Sequence, residues 1–148
     1  MQEVELSRRS VTRQVLEPHG PLLEIYVAVP SSVQEALSGS GGIVHDPIST
    51  MALIDTGSSG TLVRRSIVSE LGLNPVGTGQ FKTPQSAGMP SLRYLVRLMF
   101  PAMGAHKELG VDTADLPDEP FDCIIGRNLL SMGVFVYIGS RKEFTLSF

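Results

Sequence analysis

Apolar residues in this chain come in short runs rich in Val, Ile, Leu, Tyr and Phe, cut apart by Gly, Pro and small polar residues. Several runs alternate apolar with polar positions, the period-two pattern of half-buried strands. The pattern predicts strands at Val11–Leu16, Leu22–Val29, Met51–Asp55, Thr61–Val63, Gly79–Thr83, Ser91–Phe100, His106–Asp112, Cys123–Ile125, Val134–Ile138 and Glu143–Ser147. The last two, joined by Gly139-Ser140-Arg141-Lys142, form a terminal hairpin. Two stretches read as helix. Arg64 to Leu71 places Ile67 and Leu71 four apart on one face, and Gly72 followed by Leu73 is a helix-ending pair. Asn128 to Met132 gives one further turn, stopped by Gly133. The expectation is an all-β domain with one or two short helices and with Met99, Met103 and Met132 in its core.

Two segments depart from this rhythm. Ser38-Gly39-Ser40-Gly41-Gly42 reads as a flexible surface insertion. From Glu108 to Asp122 there are six acids and no base, with Pro117 and Pro120 among them. That composition reads as a solvated loop in which Asp122 is a loop acid, the alternative being a rim that favours basic substrate residues.

Composition narrows the class. The chain has 148 residues, 42% apolar and 18% charged, with 15 Gly and 10 Pro, which is a turn-rich globular domain rather than a disordered or coiled-coil one. Twelve Lys and Arg against 15 Asp and Glu leave a charge of −3 without a basic cluster, which excludes a nucleic-acid partner. Cys123 is alone and cannot form an intramolecular disulfide, so a reducing, cytoplasmic setting is expected. Met1 to Pro18 has no apolar core, and no window reaches the length of a membrane span, so neither signal peptide nor membrane partner is expected.

The chemistry concentrates in Met51-Ala52-Leu53-Ile54-Asp55-Thr56-Gly57-Ser58-Ser59-Gly60-Thr61-Leu62-Val63. Apolar residues deliver Asp55 into a turn, a costly place for a charge unless the turn supplies donors. Thr56 offers a hydroxyl, Gly57 lets a backbone N–H come close, and Ser58 can donate to a carboxylate oxygen. The second piece is Phe121-Asp122-Cys123-Ile124-Ile125-Gly126-Arg127-Asn128-Leu129-Leu130, with Gly126 lying 71 residues after Asp55.

This ordered pair of motifs resembles the retropepsin-like aspartic peptidases over Pro21 to Phe148, with residues 1–20 as an N-terminal extension. The resemblance implies a closed β-barrel half-lobe carrying a flap hairpin. Its arms match Thr78–Thr83 and Ser91–Phe100, and its tip, with Ala87, Gly88 and Met89, would close over a bound peptide. Ser59, Gly60 and Ile125 are expected to line the cleft, and Ile124, Gly126, Arg127 and Asn128 form the supporting motif. In viral members the Arg of Gly-Arg-Asn pairs with an acid two residues after Asp-Thr-Gly. Here that position is Ser59, so Arg127 needs another partner, and a stand-alone cellular or bacterial member fits better than a viral one.

Aspartic peptidases use two carboxylates sharing one proton, one activating water and the other protonating the carbonyl oxygen. With a single Asp-Thr-Gly, the second carboxylate is expected from Asp55 of another copy in a twofold dimer. Val111-Asp112-Thr113-Ala114 is the one other near match, but Ala stands where the motif needs Gly. The implied enzyme is a homodimeric endopeptidase acting on peptide or protein substrates, with Asp55, Thr56 and Gly57 at its centre and no cofactor. Ser58 donating to the carboxylates would lower their pKa values and give a profile centred below neutrality, moved upward by Ser58→Ala.

Other candidates are weak. His19, His45 and His106 share no metal-ligand spacing with each other or with Cys123, so no metal is expected. Gly77 to Thr83 lacks the order of a phosphate loop. Cys123 reads as a buried small apolar residue. Two rivals remain: a non-catalytic dimerisation or peptide-binding module of the same fold, and a structural β-barrel in which Asp55 caps a turn.

Overall fold

The structure, a computed structural model, describes residues 9–79 and 91–148. Among the described residues ten strands and three short α-helices follow one another as β1 (Ser10–Gln14), β2 (Leu22–Ala28), α1 (Ser31–Gly39), β3 (Ile48–Ile54), β4 (Leu62–Arg64), α2 (Arg65–Glu70), β5 (Gly77–Gly79), β6 (Ser91–Phe100), β7 (Ala105–Ala114), β8 (Cys123–Ile125), α3 (Arg127–Leu130), β9 (Val134–Ile138) and β10 (Glu143–Ser147). The fold is all-β, as the apolar pattern predicts. The strand at the start of the expected flap ends its described part at Gly79. The tip residues Ala87, Gly88 and Met89 lie outside the described residues.

Six strands in the order β2, β3, β8, β4, β7, β6 close into a barrel because β6 also pairs with β2, through Tyr26 with Met99 and Val27 with Leu98. Closure removes the free edges that such a sheet would otherwise expose. The alternating positions of β3, Thr50, Ala52 and Ile54, turn inward. Ala52 and Ile54 meet Ile25 and Val27 of β2, Val96 and Leu98 of β6, Val111 of β7 and Cys123 and Ile125 of β8 in one apolar core. A second sheet, β1, β10 and β9, adds Val11, Phe144 and Leu146 to that same core. Residues 10–14, within the N-terminal extension, are thus hydrogen-bonded to β10 in register from Ser10 with Ser147 to Gln14 with Glu143. The terminal hairpin forms as expected, Glu143 opposite Ile138. Of the methionines expected inside, Met103 is buried and Met99 half-buried, whereas Met132 is exposed past the end of α3.

Helix α2 ends as its sequence predicts. Gly72 has a φ of +66°, its N–H donates to Ser69 O, and the Leu73 N–H donates back to Val68 O, the paired bonds of a Schellman stop. The expected flexible insertion is corrected: α1 occupies Ser31–Gly39, and only the residues after it are irregular. Val33 and Leu37, four apart, are half-buried, and Val33 packs on the core, while the helix start is tethered by the Ser31 N–H donating to Glu108 Oε1 at 2.6 Å. Among the described residues no helix is long and apolar enough to cross a membrane.

Candidate active site

Strand β3 ends at Ile54 and hands Asp55 to the turn that follows. Its direction is set by β8, which lies parallel to β3 with Ile54 opposite Ile125, and the Asp55 N–H donates to Ile125 O at 3.0 Å. The same short β8 runs antiparallel to β4, pairing Ile124 with Leu62. The chain on both sides of the Asp55 turn is therefore stitched to a single central strand. Asp55 is half-buried and Thr56 and Gly57 are exposed, so the carboxyl group stands at the barrel surface and not in its core.

Inside the turn the Gly57 N–H donates to Asp55 Oδ1 at 2.8 Å and the Ser58 N–H donates to Asp55 O at 3.2 Å. A Cβ on residue 57 would lie 3.0 Å from that carboxylate oxygen, which is why the motif calls for Gly there. A backbone donor aimed at a carboxylate oxygen fixes the group's orientation. Ser58 takes a different role from the one its sequence suggests. Its hydroxyl donates to Gly60 O at 2.7 Å, drawing the turn closed instead of reaching the carboxylate.

The Ile124–Asn128 segment wedges against this turn. The Arg127 N–H donates to Ser58 O at 2.8 Å and the Asn128 N–H to Ser59 O at 3.2 Å. Gly126 has no space for a side chain, since a Cβ would sit 2.1 Å from Gly60 O. Arg127 finds the partner that the missing acid leaves open: its Nη1 donates to Thr56 O at 2.8 Å, bracing the turn directly behind Asp55. Thr61, which the sequence reading overlooked, ties the two motifs together. Its hydroxyl donates to Asn128 Oδ1 at 2.8 Å and accepts the Gly126 N–H at 3.3 Å. A Thr six residues after the Asp carries no signal of this role until its partner is known.

Other expectations change. Ile125, expected in the cleft, is fully buried in the barrel core, and its neighbour Ile124 is half-buried. Asp122 is not a solvated loop acid. Its Oδ1 accepts from Arg64 Nε and its Oδ2 from the Thr50 hydroxyl at 2.9 Å, while Arg64 also reaches Leu116 O. Asp112 is buried and ion-paired with Arg93 at 3.3 Å, which commits it elsewhere than to a second catalytic acid within the chain. Cys123 is fully buried; that burial, with Asp122 adjacent, pushes its thiol far above the usual range and leaves it inert as a nucleophile. Among the described residues no three His, Cys, Asp or Glu side chains gather as a metal-binding group.

Asp55 thus stands at a strand end with a backbone N–H on its carboxylate and with the Gly-Arg-Asn segment wedged against its turn. The aspartyl protease family model matches residues 41–129, spanning both motifs. No curated protein matches the chain in sequence. Among solved structures, a retropepsin-like aspartic protease from Rickettsia conorii is similar at 14% identity and a TM-score of 0.55, over 96% of this chain and 92% of that one. The EIAV protease complexed with the inhibitor HBY-793 is similar at 15% identity and a TM-score of 0.49, over 89% and 92%. Fold, motif placement and family match agree, and the chain belongs to the aspartyl protease family with a retropepsin-like fold.

Proposed function

We propose that the chain is a homodimeric aspartic endopeptidase in which Asp55 of each copy supplies one of two catalytic carboxylates. The observation that carries this reading is the one accessible Asp55, presented by a rigid turn. The second copy supplies what one carboxylate lacks, since hydrolysis needs a base for water and an acid for the carbonyl oxygen at once. Two such groups held together share a proton and titrate as a pair. Water is the nucleophile and no cofactor takes part. The tip around Gly88 is proposed to cover the bound peptide, and a cytoplasmic location belongs to the same reading.

The second sheet supports self-association. Among the described residues β9 is one of its two edge strands and reads Val-Phe-Val-Tyr-Ile without a charge, with Val134, Val136 and Tyr137 exposed. Soluble proteins blunt such edges with charge or proline unless a partner covers them. A second β9, paired antiparallel about a twofold axis, would satisfy the edge in a self-complementary way.

The test compares wild type with Asp55→Asn on a mixed peptide library between about pH 4 and pH 7, with oligomeric state followed by sedimentation. Cleavage that disappears in Asp55→Asn while the dimer persists is the expected outcome. In mixtures of the two proteins, activity should fall more steeply than the wild-type fraction, because each site needs two intact halves. Cleavage by a strictly monomeric species, or full activity in Asp55→Asn, would overturn the reading.

A further inference from the structure

Beside the Asp55 turn lies a cavity of about 450 Å³ that the hydrolytic chemistry does not itself use. Its lining brings together Ser59 and Gly60 after the turn, Asn128 of α3, Arg93 of β6, and Leu109, Gly110 and Asp112 of β7. The charged pair is built across β6 and β7, where Arg93 and Asp112 stand directly opposite in the ladder. The Asp112 side chain is 9% exposed and the Arg93 side chain 51% exposed, so the base is the member of the pair that solvent and ligand can reach. Arg93 Nε donates to Asp112 Oδ1 at 3.3 Å. Gly110 allows this placement: a Cβ there would meet Arg93 Cδ at 3.3 Å and Cγ at 3.7 Å, so bare backbone is the floor on which the arginine stem lies. A guanidinium anchored through Nε presents its terminal nitrogens as a planar fork, the geometry that matches a carboxylate.

The rest of the lining offers donors as well. Asn128 Oδ1 already accepts from the Thr61 hydroxyl and the Leu129 N–H, so its remaining offering is its amide hydrogens. Ser59 is exposed and brings a hydroxyl. Of the six acids in the Glu108–Asp122 segment, Asp112 is the one paired with Arg93, and three others have partners elsewhere. Asp122 is held by Arg64, Asp115 lies 3.8 Å from Arg65, and Glu108 accepts from the Ser31 N–H.

We propose that this cavity is a substrate subsite that takes an acidic side chain, Glu or Asp. Arg93 is its specificity-determining residue, and Asp112 is the positioning residue that aims it. The inference rests on the peptidase reading for the identity of the ligand as a peptide. A Glu entering the cavity gains charge-assisted hydrogen bonds that a Gln of the same shape lacks. At a half-exposed site that difference corresponds to roughly tenfold in affinity or kcat/KM.

The experiment uses fluorescein-labelled peptides with one apolar frame and Glu or Gln at a single position, scanned along the frame. At one position the Glu peptide should be cleaved with a kcat/KM roughly tenfold above its Gln twin. Arg93→Gln should bring the ratio near one, Arg93→Lys should keep part of it, and Arg93→Glu should turn the preference toward Lys. Asp112→Asn leaves the Arg93 charge in place but no longer aims it, so the ratio should fall through KM with kcat little changed. Fluorescence anisotropy of the same peptides on Asp55→Asn protein reads the preference without cleavage. An Arg93-dependent Glu preference in anisotropy, with no cleavage by wild type, would remove the peptidase reading and keep the subsite. Cleavage at equal rates for Glu and Gln at every position would overturn the subsite and keep the peptidase. Absence of both cleavage and preference would overturn both.

Discussion

Replacing Gly126 by Ala tests the way the two motifs are locked together. The added Cβ would lie 2.1 Å from Gly60 O, 2.5 Å from Gly60 C and 2.9 Å from Ser58 O. All three are backbone atoms, so no rotamer change relieves the overlap, and either the Asp55 turn or the segment leading into α3 must retreat. Overpacking of this kind costs about 1–3 kcal/mol. Retreat also stretches the bonds from the Arg127 N–H to Ser58 O, at 2.8 Å, and from the Asn128 N–H to Ser59 O, at 3.2 Å. Each is worth about 1 kcal/mol. The expected total is about 3–5 kcal/mol, a large share of the ~5–15 kcal/mol that holds a domain of this size together. Urea unfolding at fixed protein concentration reads it as a lower midpoint with an unchanged slope, concentration being held because self-association would add to stability. Gly77→Ala is the matched control. A Cβ there meets nothing within 4 Å, and the change should stay within about 0.5 kcal/mol. A loss below about 1 kcal/mol for Gly126→Ala, or one equal to the control, would refute the wedge.

Two further outcomes follow from hydrogen bonds elsewhere. Thr61→Val removes the hydroxyl that serves Asn128 Oδ1 and the Gly126 N–H, and should cost about 1–3 kcal/mol in the same unfolding assay; a change within experimental error would show that the bridge is dispensable. The Ser31 N–H beside Glu108, helped by the nearby Arg97 and His106 charges, holds the Glu108 carboxyl below its usual range. Because that pKa is depressed in the folded state, the tether's contribution is present above the ordinary carboxyl value of about 4.3 and is lost as pH falls through the lower folded value. Carboxyl carbon titration by NMR should place the Glu108 midpoint below about 4.3, and a midpoint at or above it would contradict the tether.

The legible parts of this molecule are those whose partners are near in sequence. The Schellman stop at Gly72 and the hairpin of β9 with β10 follow from local backbone preferences, so the chain states them directly. Helix α1 was obscured by the Ser and Gly that end it. The usable signal was Pro30 followed by Ser32 and Glu35, with Val33 and Leu37 one turn apart, but one weakly buried face gives a faint period. Ile125 and Ser58 show the limit of motif reasoning. Alternation tells that one of Ile124 and Ile125 faces the core, and only the pairing of β8 between β3 and β4 decides which. A serine hydroxyl beside a carboxylate and a carbonyl has two partners of similar strength within reach of its rotamers, and the curl of the turn selects Gly60 O.

Sequence by itself determined the β class, the acid at the head of the Asp-Thr-Gly turn and the Gly-Arg-Asn segment that answers it, because covalent order and strand period already contain them. Tertiary structure alone decided the ion pairs of Arg64 with Asp122 and of Arg93 with Asp112, the Thr50 and Thr61 bridges and the cavity beside the turn. Each depends on which residues two strands bring opposite one another, a register set by the barrel's closure rather than by any local preference. An isolated carboxylate reads as solvated until its counter-charge arrives from 19 or 58 residues away. That long-range pairing is what converts an acidic stretch from a loop into the frame of a site.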